Sequence, residues 1–310
     1  MKKIECFKIR ILIADENSIW NIEQMLPIHD ILCDRHPFST NPIVIVADPF
    51  LFVHREKLFL FYEEKRNYSN GVLKMTCTTD LKTWSKPTKI LKEPFHLSYP
   101  FVFEENGKIF LIPETSDIGD IRLYKATNDD LNNFTFYKTL IKKDVIETEI
   151  GYADTSIFKK DSTFFLMTSI ERDGSNIMYL YTSDHIEGPY TEHPCSPVCS
   201  SAQYGRNGGC LLESADGKIY RVAQDCKYRY GDDIHLLQVD ELTPKTYKEH
   251  LVKSNIIPTS IPFYQEGGHQ YNIVRFKGRM IVATDAKEYN TYTIYRLWHK
   301  SKLTLHELFK

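Results

Sequence analysis

No stretch of this sequence approaches the ~20 consecutive apolar residues that cross a bilayer as a helix, so no transmembrane segment is expected. An excess of one charge is missing too. The 39 basic side chains stand against 41 acidic ones, which gives no reason to expect nucleic acid or an anionic membrane as partner. Paired metal-ligand spacing is absent among the 7 cysteines: Cys195 and Cys199, in "HPCSPVCS", have no matching second pair. We therefore expect no bound metal and no cofactor, and reduced thiols in a cytoplasmic protein. The start, "MKKIECFKIRILIADENS", is broken by Lys8 and Arg10 and lacks a small-residue cleavage site, so it reads as a strand rather than a leader. No dinucleotide, P-loop, zinc-protease or nucleophile-elbow motif occurs, and the glycine-rich "YGRNGG" precedes a strand, not a helix. Helical periodicity is nearly absent, with "SIWNIEQML" the one short helical candidate.

What the sequence has is aromatics, 19 Tyr and 18 Phe, and a repeat. Aromatic-rich chains favour β-structure or flat hydroxylated ligands. Five segments share an opening motif, an apolar strand, a tight turn and a second apolar strand. They are "ADPFLFVHREKLFLFYE", "SYPFVFEENGKIFLIPE", "ADTSIFKKDSTFFLMTS", "GRNGGCLLESADGKIYRVAQ" and "GHQYNIVRFKGRMIVATD". A second hairpin follows each, in the fifth unit "NTYTIYRLWHKSKLTLHEL" with its turn at "HKSK". Four strands per ~50 residues, five times over, predicts an all-β fold, a five-bladed β-propeller with four antiparallel strands per blade. Residues 1–310 form this single domain, with blades starting near 45, 97, 152, 204 and 266 and residues 1–40 as lead-in. "CFKIRILIAD" is expected to supply the outer strand that closes the last blade, leaving no exposed sheet edge.

First strands line the channel of a propeller, so the residues opening them converge. Asp48, Tyr99, Asp154, Arg206 with Asn207, and His269 hold those positions. Asp48 and Asp154 begin otherwise apolar strands at equivalent places, which marks them as candidates beyond turn capping. The ends of second strands add Glu63, Glu114, Gln224, Asp225 and Asp285, and at least one of Glu63 and Glu64 is expected to be a solvated loop charge.

These residues resemble a family. The "ADP" of the first unit, "ADTSIF" of the third, "TTDLKTW" and "EGPY" are similar to family-43 glycoside hydrolases, five-bladed propellers acting mostly on furanosides and arabino- or xylo-oligosaccharides. By that resemblance Asp48 is the general base, Asp154 tunes and orients the acid, and His269 matches a central last-blade histidine. A resemblance over most of the chain is carried in order by "HLSYPFVF", "GKIFLIPE", "IRLYKA", "ADTSIF", "GPYTEHP", "QDC" and "GGHQYNI". These look like the propeller domain of glucosamine inositolphosphorylceramide transferases and of related bacterial surface-glycan proteins. The plant members carry a separate glycosyltransferase domain not present here, and a fold does not fix a reaction.

Blade four departs from the hydrolase pattern. Where a catalytic Glu is expected, "SSAQYGRNGGCLL" offers Arg206 and Asn207. An arginine does not give up its proton near neutral pH, but its fork fits phosphate oxygens. The expectation is glycosyl transfer involving a phosphate-activated sugar, in surface-glycan assembly. Asp48 is the base, Arg206 and His269 hold phosphate with Arg122 or Lys125, and Glu114 is the substitute acid if the chemistry is hydrolytic. Tyr99, Asn207, Gln224, Asp225 and Asp285 complete the binding set for a sugar, sugar phosphate or nucleotide sugar. Two alternatives stay open: a glycosidase of the family-43 type, and a non-catalytic carbohydrate-binding propeller serving a partner glycan-assembly enzyme.

Overall fold

The computed structural model describes residues 3–36, 39–142 and 151–292. Five antiparallel sheets form a five-bladed β-propeller, in agreement with the repeat. Blade one is Ile43–His54, Lys57–Arg66, Val72–Thr78 and Thr88–Leu91. Blade two is Ser98–Glu105, Lys108–Glu114, Asp120–Ala126 and Phe134–Lys142. Blade three is Ala153–Lys160, Thr163–Arg172, Ser175–Ser183 and Thr191–Glu192, with Cys199–Ser200 also on its third strand. Blade four has a very short first strand, Leu212–Glu213, then Ile219–Asp225, Asp233–Leu242 and Tyr247–Lys253.

Blade five joins the two ends of the described chain. Its order is Tyr271–Phe276, Arg279–Asn290, Ile4–Ala14 and Leu26–Ile31. The N-terminal strand is thus the third of the blade, not the outer one as expected. It pairs with the second strand from Ile4 opposite Asn290 to Ala14 opposite Met280. Its side chains are mostly buried, as an inner strand requires, whereas those of Leu26–Ile31 are largely open, as an outer strand allows. The expected second hairpin of the fifth unit, with its turn at "HKSK", lies outside the described residues. "SIWNIEQML" yields only single 3-10 turns, at Glu16–Ser18 and Ile22–Gln24.

Sheets stacked face to face bury both sides of their inner strands. "LFLFY" in the second strand of blade one is therefore continuously apolar and wholly buried, without the alternation of a half-exposed strand. Phe50, Phe59, Phe61, Phe101, Phe110 and Phe134 fill the cluster joining blades one and two. Each fully buried Phe contributes about 1.5–3 kcal/mol of transfer free energy.

The first strands meet at the axis through hydrogen bonds between blades. Leu51 N–H donates to Asn272 Oδ1 at 2.9 Å, Tyr99 Oη to Gly209 O at 2.7 Å, and Asn207 Nδ2 to Asp154 O at 2.9 Å. Gly209 packs so closely that an added Cβ would sit 2.2 Å from Tyr271 O. Side-chain-free backbone lets blades four and five approach there.

Candidate active site

Three blades open with the same local device. Pairing in blade one jumps between Ala47 and Phe50, in blade two between Ser98 and Phe101, and in blade three between Ala153 and Ser156. Inside each bulge one residue takes a left-handed backbone: Asp48 (φ 53°), Tyr99 (φ 46°) and Asp154 (φ 51°). Such a conformation costs on the order of 1–3 kcal/mol for a residue with a Cβ, and bulges re-aim side chains. Of the five opening positions that repetition singled out, these three are turned out of register by the backbone at the ring.

The network around Asp48 is closed and nearly dry. Asp48 Oδ2 accepts Tyr99 N–H at 3.0 Å, and Oδ1 lies 3.5 Å from His269 Nε2. His269 Nδ1 sits 2.7 Å from Asp285 Oδ2. Asp285 also accepts N–H groups from His269, Gln270 and Asp48, at 2.8, 3.1 and 3.2 Å. Burial pushes Asp48 up to about 6, even though the neighbouring His269 pulls it back. Burial opposes a charged His269, but Asp285 and then Asp48 outweigh it and lift it to about 9. Phe7 lies 4.7 Å from the His269 ring and Tyr230 5.0 Å, edge-on, closing it from above. Asp48, His269 and Asp285 offer ligand atoms within 4.8 Å of one another, a donor set that a divalent cation could share. In the arrangement seen, His269 bridges the two carboxylates.

A second network holds Asp154. Arg206 Nε donates to Asp154 Oδ2 at 2.5 Å and Arg206 Nη2 to Glu114 Oε2 at 3.3 Å. Gln224 Nε2 reaches Asp154 Oδ2 at 2.8 Å and Asn207 O at 2.7 Å. Glu114 Oε2 accepts Asp154 N–H at 3.3 Å, and its Oε1 accepts the Ser116 hydroxyl at 2.8 Å. Burial holds Asp154 well above the usual carboxylate range against the pull of Arg206. The guanidinium lies 5.4 Å from the Tyr230 ring centroid, and Tyr230 is 41% exposed, so this ring forms part of the mouth.

Asp48, Tyr99, Glu114, Asp154, Arg206, Asn207, Gln224, His269 and Asp285 are therefore joined as expected. Asp225 is not: it follows Gln224 in a strand, so its side chain takes the opposite face, where it meets His235 Nε2 at 2.9 Å and Gln203 Nε2 at 3.1 Å. Arg122 lies on a third strand, 5.3 Å from the Phe95 ring and 5.2 Å from that of Phe136, and Lys125 lies 6.0 Å from that of Tyr137. Neither is brought to the ring. Neither adjacent glutamate is the solvated loop charge expected: both lie within the second strand of blade one, where Glu64 pairs with Lys74 at 2.7 Å and Glu63 is buried at 4% exposure. Sequence reasoning also missed Tyr230, Phe7 and His96. Glu63, named from its place in the repeat, opposes Ala47 as Glu114 opposes Ser98.

Comparison with known proteins places the chain in a family and agrees with the fold. Residues 2–277 match the family described as "Glucosamine inositolphosphorylceramide transferase 1, N-terminal". A rice (Oryza sativa subsp. japonica) protein of that name is 35% identical over 218 residues, 67% of this chain and 28% of its own. The Arabidopsis thaliana protein is 30% identical over 267 residues, 84% of this chain and 33% of its own. This chain thus spans about a third of those relatives. A xylan β-1,4-xylosidase from Bacillus halodurans superposes with a TM-score of 0.54 at 14% identity, covering 74% of this chain and 48% of the xylosidase. A family-117 glycoside hydrolase from Zobellia galactanivorans gives 0.54 at 12%, covering 82% and 89%. These structural likenesses establish the fold.

Proposed function

This chain belongs to the family defined by the N-terminal region of glucosamine inositolphosphorylceramide transferase 1, and from that premise we propose that it works on a sugar at the carboxylate-rich end of its channel, in glycosyl transfer during surface-glycan assembly. The observation that carries the proposal is the pair Asp48 and Asp154. Both are buried, and both sit in left-handed bulges at equivalent repeat positions. Strain kept at two such positions is a mark of a site.

Asp48 is the base that takes the acceptor hydroxyl's proton. Near pH 7 a carboxylate poised at about 6 is mostly ionised yet basic enough to accept one. Asp154, Gln224 and Arg206 hold the sugar hydroxyls. The finer part of the proposal is a phosphate-activated donor. Arg206 meets its phosphate by exchanging the 3.3 Å contact to Glu114 while keeping Asp154 at 2.5 Å. We propose the cytoplasm as its place of work and a glycan-assembly enzyme as its partner. Hydrolysis is the second reading, favoured by the surplus of carboxylates over the two cationic groups of the ring, Arg206 and His269.

A thermal-shift screen of nucleotide sugars, sugar phosphates and free oligosaccharides tests this. A ligand at 100 times its dissociation constant adds about 2.7 kcal/mol. Stabilisation by a nucleotide sugar or sugar phosphate, lost in Asp154→Asn, is the expected result. Response to free oligosaccharides alone selects the hydrolytic or binding reading, and no response from any class overturns the sugar site.

A further inference from the structure

The second strands of blades one, two and five each end near a carboxylate: Glu63, Glu114 and Asp285. Two of them do the same work. Glu114 Oε2 accepts the N–H of Asp154 at 3.3 Å, and Asp285 Oδ2 that of Asp48 at 3.2 Å. Each ties down the left-handed residue that opens the next blade. By this rule Glu63 would accept the N–H of Tyr99. It does not, because Asp48 Oδ2 already takes that N–H at 3.0 Å. Glu63 is released from the structural task that its counterparts perform.

Its remaining surroundings are unusual for a carboxylate. Glu63 is buried, and among the described residues its Oε1 has no hydrogen-bond partner. His96 Nε2 is 3.3 Å away but not aligned as a hydrogen bond. His96 Nδ1 accepts the Gly71 N–H at 2.9 Å, so a neutral ring carries its proton on Nε2, the nitrogen facing Glu63. Burial, helped by Lys65, holds His96 below its ordinary value and keeps it neutral. Gly71 leaves no room for a side chain, since a Cβ would stand 2.6 Å from Glu63 Oε1 and 2.7 Å from His96 Cε1. The charged groups that act on Glu63 are Asp48, Glu114 and Asp154, against Lys65. Burial first, then Asp48, raises Glu63 well above the usual carboxylate range. An ionised carboxylate with a bare oxygen beside three others would be costly; a protonated one is not.

We infer that Glu63 is the proton donor of the central site, with His96 as its route to solvent. The inference rests on the sugar reading above. In the transfer step the bond from the anomeric carbon to the departing oxygen breaks, and its electron pair stays on that oxygen, which takes the Glu63 proton. The acceptor oxygen bonds to the anomeric carbon and yields its proton to Asp48. Glu114, whose two oxygens already act as acceptors, is displaced from the donor role first expected of it. The His96 side chain is 23% exposed and that of Glu63 5%, so reprotonation passes inward through the imidazole: a solvent proton is taken up at Nδ1, which gives up its contact with the Gly71 N–H, as Nε2 hands its own proton to Glu63.

Infrared difference spectra of the full chain in H2O and D2O, for wild type, Glu63→Gln and His96→Asn, test the inference. A protonated-carboxyl band at pH 7 is expected in wild type, absent from Glu63→Gln, and slower to exchange in His96→Asn. Asp154 can add a band of its own, so the assignment rests on the wild-type minus Glu63→Gln difference. No acid band in that difference overturns the donor, and unchanged exchange in His96→Asn overturns the relay. Adding UDP-N-acetylglucosamine should shift the Glu63 band. A probe that raises the melting temperature and leaves the band unmoved also overturns the donor role. A variant that fails through misfolding is separated by its pH trend. A raised carboxyl loses its stabilising contribution as pH rises, so Glu63→Gln should gain on wild type toward alkaline pH, and a widening loss would show an ionised partner of His96 instead. The band is read without sugar, so its absence sinks Glu63 alone, whereas loss of sugar binding in Asp154→Asn speaks to the reading beneath.

Discussion

Replacing Arg206 by Met removes the cation that holds Asp154 while keeping most of the side-chain volume. The pair is nearly dry, with side chains 15% and 4% exposed and a 2.5 Å contact. Breaking a buried pair from one side costs about 3–5 kcal/mol where the partner left behind is ionised, because its charge is stranded. For a chain of this size that is a fall of about 5–8 °C in melting temperature. Asp154 can escape by binding a proton, and without Arg206 it does so over a wider pH range. A raised folded-state carboxyl contributes stability that is complete below its unfolded value near 4 and lost as pH rises through its folded value. The deficit of Arg206→Met should therefore be larger at pH 8 than at pH 5. Adding Asp154→Asn to it should recover part of the loss at pH 8, since an amide strands no charge. Thermal unfolding of the four proteins at both pH values measures this. A deficit of the same size at both, or no recovery in the double variant, refutes the claim that Arg206 serves chiefly to neutralise Asp154.

The His269 cluster predicts a second pH effect. With the folded-state ring raised to about 9 and an unfolded value near 6.5, its contribution is complete below 6.5 and gone above 9. Melting temperatures of wild type should decline through that window, and those of His269→Gln should be flatter there; parallel curves would argue against a charged His269. Tyr99→Phe removes the 2.7 Å bond to Gly209 O and leaves a buried carbonyl unmet, costing about 1–3 kcal/mol in chemical denaturation. A loss under about 0.5 kcal/mol would mean that this cross-channel bond does not hold blade two to blade four.

Much of the ring was legible because repetition turns scattered residues into a set. Asp48 and Asp154 follow from being the same step of the same motif, and the hairpin turns follow from glycine and short polar loops between apolar runs. Blade closure was only half legible. A strand's alternation says that it pairs, not whether it lies third or fourth, and both the third and the fourth strand proved to be N-terminal. Arg206 read as a free cation because its partners lie 52 and 92 residues away, where a sequence pattern carries no distance. Glu63 and Glu64 are neighbours in one strand, and period-two alternation turns one to the ring and the other to an ion pair with Lys74 on the opposite face. Composition cannot say which; the register opposite Ala47 can.

The central claim is that the ring around Asp48 and Asp154 is a sugar site. Titration calorimetry of wild type and of Asp154→Asn with the best-stabilising nucleotide sugar or sugar phosphate tests it most directly. The account predicts saturable one-site binding to wild type, weakened at least about tenfold, or 1.4 kcal/mol, in the variant, with the folded state of the variant intact. Equal affinity for the two proteins would place the sugar elsewhere on the propeller and contradict it.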